Sequence, residues 1–77
     1  MNKARRKWLS DIIEQLELQK TELESARDEE QEMYDLMPEG LQEAEQGQKM
    51  CENIDDLDNA ISDLENVIDS IQEAIDR

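Results

Sequence analysis

The sequence predicts an all-α protein: an antiparallel two-helix hairpin, in coiled-coil packing, that dimerises into a four-helix bundle. Three observations carry this prediction. Apolar residues recur in steps of four and three through the C-terminal half, the same period runs more weakly through the N-terminal half, and Pro38 and Gly40 interrupt the chain between them. At 77 residues the chain is one domain, residues 1–77, near the size where one core gives little net stability without a disulfide, a metal or self-association.

The first helix is expected over about residues 3–35. Its seam falls on Leu9, Ile12, Leu16, Gln19, Leu23, Ala26, Glu30, Met33 and Met37, and so loses apolar character toward the turn. Trp8, Ile13, Tyr34 and Leu36 flank the seam, whereas Leu18 points away from it. The turn is expected over about residues 36–43, because Pro38 disfavours a helical conformation at Met37 and Gly40 readily takes positive φ.

The second helix is expected over about residues 44–76, with Gly47 as a feature that delays its start. Met50, Ile54, Leu57, Ile61, Leu64, Ile68, Ile71 and Ile75 form a strict heptad seam, and the segments opening at Ile54, Ile61 and Ile68 are an internal repeat. Ala60, Val67 and Ala74 widen the stripe beyond what one partner helix covers. With Ile13, these three residues are the predicted homodimer interface.

In an antiparallel pair, facing residue numbers sum to a constant near twice the turn centre, here about 80. That register sets Leu9 against Ile71, Leu16 against Leu64 and Leu23 against Leu57, so the two heptad phases meet. It also brings the basic start, Lys3, Arg5, Arg6 and Lys7, beside Asp69, Glu73 and Asp76. Each group opposes its own helix dipole and gains from the other. Trp8 is expected to cover the open end of the hairpin near Ile71 and Ile75.

Composition excludes several classes of function. There is one cysteine, Cys51, and no histidine, so an intrachain disulfide and the usual zinc spacings are absent. Cys51 is read as a passive thiol beside the seam, and a lone thiol fits a reducing, host-cell cytoplasmic setting. No apolar run reaches the about 18 residues that a membrane span needs. With 22 acidic residues against 8 basic ones, the net charge of −14 argues against nucleic acid or an anionic membrane as the direct ligand. Asp55-Asp56-Leu57-Asp58-Asn59 lacks the alternating ligands and the glycine of a calcium loop, and no Glu-x-x-His pair or phosphate-binding glycine loop is present. No cofactor or metal is expected, and no catalytic residue.

Around the turn, Tyr34-Asp35-Leu36-Met37-Pro38-Glu39-Gly40-Leu41-Gln42, together with the Lys-Ala-Arg-Arg-Lys start and the Ile-Asp-x-Leu heptads, resembles small helical-hairpin proteins of Firmicute genomes and their phages. Those proteins commonly read Tyr-x-Asn-Met-Pro-Glu-Asn-Leu-Gln, with a serine to cap the second helix. Here Gly40 stands for the asparagine and Ala44 for the serine, so the first turn of helix 2 lacks a side-chain cap. The resemblance implies a setting among mobile elements and no particular activity.

Two functions fit this reading. One is a non-catalytic inhibitor, of the counter-defence or anti-CRISPR kind, whose acidic surface occupies a basic nucleic-acid-binding protein. Its candidate contact residues are Asp28, Glu29, Glu32, Asp35, Glu39, Glu43 and Glu45 around the turn, with Asp55, Asp56 and Asp63 on helix 2. Along about 50 Å of hairpin the 22 acids fall about one per 2.3 Å, against about one per 1.7 Å in duplex DNA, so mimicry needs the whole hairpin or a dimer. The other is a structural coiled-coil scaffold or accessory subunit.

Overall fold

The computed structural model describes all 77 residues, in three helices: α1 over Lys3–Asp35, α2 over Glu39–Gln42 and α3 over Glu45–Asp76. α1 and α3 lie side by side as a hairpin 58 Å long and 15 by 12 Å across. Neither is long and apolar enough to cross a membrane.

Local chemistry sets the helix ends. Asn2 caps α1, its side-chain oxygen accepting from the Arg5 amide at 2.8 Å. The Leu36 amide still reaches the Glu32 carbonyl at 3.0 Å, and Pro38 then opens the single turn of α2. Gln42 Nε2 donates to the Tyr34 carbonyl at 2.8 Å, clipping α2 to the end of α1. α3 starts from Ala44 in extended backbone with no side-chain cap, as the alanine requires. Glu45 in its first turn complements the helix dipole.

Both glycines act differently from the sequence-based expectation. No residue has positive φ, so Gly40 does not serve a left-handed turn and instead lies within α2. Gly47 does not delay α3. It is buried inside that helix, and a Cβ there would run into the backbone of Gln42. The glycine is the gap through which α2 lies down on α3.

The seam of α3 is the one predicted: Ile54 and Ile61 are buried, and Met50, Leu57, Leu64, Ile68, Ile71 and Ile75 are half-buried. On α1 every second seam position is one residue later than predicted. Leu9, Leu16, Leu23, Glu30 and Met37 keep their places, but Ile13, Lys20, Arg27 and Tyr34 lie between them, while Gln19, Ala26 and Met33 are exposed. Long amphipathic side chains explain the choice. Lys20 and Arg27 lay their stems along the seam and carry their charges to its edge, reaching Glu65 at 3.1 Å and Asp58 at 3.0 Å. The other phase would bury the Gln19 amide and leave a void at Ala26.

This phase removes Ile13 from the predicted dimer interface, because at 7% exposure it belongs to the hairpin's own core. It also moves the register. Lys20 with Glu65 and Arg27 with Asp58 sum to 85, and Glu30 with Asn53 sums to 83, rather than 80. α2 rests on Gly47, so the first turn of α3 extends past the end of α1 and the chain reverses nearer to residue 42. At the open end two further expectations fail. Trp8 precedes the seam residue Leu9 and turns outward, 65% exposed. Lys7 pairs with Asp11 on its own helix at 2.7 Å, and Lys3, Arg5 and Arg6 have no acidic partner within 4.0 Å.

Candidate partner-binding surfaces

The heptad frame divides the hairpin surface into flanks of different chemistry. One flank is formed by the residue that follows each leucine-type seam position: Ser10, Glu17, Glu24 and Gln31 on α1, and Cys51, Asp58, Glu65 and Gln72 on α3. It holds the cross-helix ion pairs. Asp58 binds the Arg27 guanidinium, which also bridges to Asp28 at 3.1 Å, and Glu65 binds Lys20. These carboxylates raise the pKa of Arg27 and of Lys20 above their ordinary values through hydrogen bonding. The acidic members of the pairs are half exposed, so solvent screens each pair and its contribution to stability is small.

Near the turn on this flank, Tyr34 and Cys51 lie together. A hydrogen bond with the Cys51 sulfur, and then partial burial, push the Tyr34 phenol above its ordinary 10.0. The thiol is half-buried.

The opposite flank is formed by the residue that precedes each of the other seam positions. On α1 these are Ile12, Gln19, Ala26 and Met33; on α3 they are Asn53, Ala60, Val67 and Ala74. None is charged, although a chain with 39% charged residues would place about three charges on eight positions. The predicted interface residues Ala60, Val67 and Ala74 belong here, with Ala60 and Val67 exposed and Ala74 half-buried. Trp8 and Leu36, both exposed, border this flank at the two ends of the neighbouring row, which also holds Gln15, Glu22 and Glu29. A shallow groove of about 300 Å³ opens on it, lined by Ala26, Glu29, Glu30, Met33 and Leu57. The α1 half of this strip is hidden in the sequence, where Ile12, Gln19, Ala26 and Met33 fit the period of the seam.

The remaining surface is acidic. Five carboxylates, on Asp11, Asp28, Glu45, Asp58 and Glu65, sit in ion pairs, which leaves seventeen of the 22 without a basic partner. All ten predicted contact residues are exposed. Three of them are engaged within the hairpin: Asp28 by Arg27, Glu45 by Lys49 at 3.3 Å, and Asp35 by the Gln31 amide at 2.9 Å. Glu29, Glu32, Glu39 and Glu43 at the turn, and Asp55, Asp56 and Asp63 along α3, remain unpaired. The turn is thus less uniformly repulsive than the sequence suggests, since Arg27 and Lys49 each reach one of its acids. A second groove, about 430 Å³ and lined by Glu14, Glu17, Leu18 and Thr21, is where Leu18 meets the surface. No group of three His, Cys, Asp or Glu side chains converges as a metal site would require.

Fold and surface together define a class: a helical hairpin with one uncharged flank and an otherwise largely unpaired acidic surface. No protein-family model matches the chain, and neither a curated protein nor a solved structure does.

Proposed function

We propose that the hairpin is a non-catalytic binding protein whose acidic surface engages the basic, nucleic-acid-binding site of another protein and thereby inhibits it. The observation that carries this reading is the seventeen carboxylates left without a basic partner on so small a body. Such a surface raises the local potential and speeds encounter with a positive patch. Net charge sets the scale of the effect. A charge of −14 over 58 Å is about one per 4 Å, less than half the about one per 1.7 Å of duplex DNA. Two hairpins side by side come to about one per 2 Å, comparable to DNA.

The test is capture from host-cell extract on immobilised hairpin at low salt, followed by elution with duplex DNA or RNA. Proteins that bind nucleic acids should be retained and then released both by the competitor and by about 0.5 M salt, where screening falls to about 3–5 Å. Retention that survives both treatments would point to an apolar interface and sink the proposal. In a second arm, the charge-removing changes Asp55→Asn, Asp56→Asn and Asp63→Asn together should weaken capture severalfold while the helical circular dichroism is kept.

A further inference from the structure

From the uncharged flank and the two ends of the hairpin, we infer that its occupant is a second copy of this chain, docked head to tail so that each turn lies beside the other copy's open end. This goes beyond the acidic surface proposed above and does not depend on it.

Charge argues for a second copy. A molecule of net charge −14 meets its like with least repulsion through its least charged surface, and the flank of Ile12, Gln19, Ala26, Met33, Asn53, Ala60, Val67 and Ala74 is that surface: none of the eight is charged, and of the carboxylates that border its groove, Glu29 and Glu30, the second accepts from Asn53 at 3.0 Å. Four of the exposed large apolar residues, Trp8, Met33, Leu36 and Val67, border or belong to it. Area agrees. From Trp8 to Leu36 the strip runs about 42 Å at about 1.5 Å per residue, and on a body 15 Å wide two copies would bury roughly 1,200 Å², the lower bound for a stable interface.

The ends decide orientation. Head to head, the unpaired Glu29, Glu32, Glu39 and Glu43 of both turns would crowd together. Head to tail, a twofold axis crosses the strip between Gln19 and Ala26 on α1, level with the gap between Ala60 and Val67 on α3. Ile12 then faces Met33 of the second copy, Ala60 faces its Val67, and Asn53 faces its Ala74. The same alignment brings Trp8 against Leu36 of the second copy. It also sets Arg5 and Arg6, which have no partner within one hairpin, beside the Glu39 of the other turn. Features that the single hairpin leaves unused are used together.

Size-exclusion chromatography with light scattering, at about 100 µM, tests this. The wild type should elute at twice the 9.0 kDa chain mass. Val67→Glu and Ala60→Glu, at positions exposed in the single hairpin, should each elute at 9.0 kDa with helical circular dichroism retained. Arg5→Glu with Arg6→Glu favours the start of α1 by the helix dipole, yet should weaken the dimer about tenfold. A wild type at 9.0 kDa, or a dimer indifferent to both glutamate variants on the flank, overturns the proposal. A dimer indifferent to the Arg5 and Arg6 changes overturns its head-to-tail geometry.

Discussion

A single missing methyl group fixes how this chain reverses direction. Gly47 is buried beneath the backbone of Gln42, and no flexible side chain stands there to yield. Gly40, seven residues earlier on a helical turn, has open space where a Cβ would be. The two positions should therefore respond oppositely to the same change. Gly47→Ala must push α2 off α3, an overpacking cost of about 1–3 kcal/mol that exceeds the about 1 kcal/mol alanine gains in a helix. Gly40→Ala meets no obstacle and should stabilise by about 0.4–1 kcal/mol through the unfolded chain. Urea denaturation followed by circular dichroism at 222 nm measures both. Equal stability of the two variants would mean that the turn is not pinned at Gly47.

At the level of the helices, legibility followed apolar content. The α3 seam was readable because an isoleucine or leucine occupies every seam position from Ile54 to Ile75, so that one phase is clearly the most apolar. α1 offers Ile12 and Ile13 side by side, and beyond them the choice lies between Gln19 and Lys20 and between Ala26 and Arg27. Hydropathy favours the wrong member of the second pair. What decides is the reach of lysine and arginine across to Glu65 and Asp58, and no pattern within α1 alone reveals that. The predicted acidic contacts were legible as exposed, because a charged residue off the seam has nowhere else to be. Their internal pairings with Arg27 and Lys49 were not. A seam held by cations is also weaker than an apolar one. Lys20→Leu combined with Arg27→Leu should raise the melting temperature by several degrees, and a lower one would show that the ion pairs outweigh the apolar packing they displace.

The whole molecule is a thin rod that repels itself. With a cross-section of 15 by 12 Å and no large side chain fully withdrawn from solvent, its core is slight, while seventeen carboxylates have no basic partner. Net charge of this size destabilises the compact state, and salt relieves it. Raising sodium chloride from about 50 to about 500 mM should therefore raise the melting temperature, even as it weakens capture of a basic partner. The two trends run in opposite directions, which separates folding from binding in one titration. A melting temperature that falls with salt would mean that attractive pairs, such as those of Lys20 and Arg27, dominate over the repulsion.

Those two cations also work as a vernier. They stand one heptad apart on α1 and meet Glu65 and Asp58, one heptad apart on α3 in the reverse order. If α3 slides by one heptad in either direction, one cation still finds an acid but the other meets a neutral residue, Arg27 at Cys51 or Lys20 at Gln72. The repeats opening at Ile54, Ile61 and Ile68 are similar enough to tolerate such a slip, and the paired charges make it unprofitable. Part of the seam's apolar strength is given up so that a repetitive helix has only one place to stop.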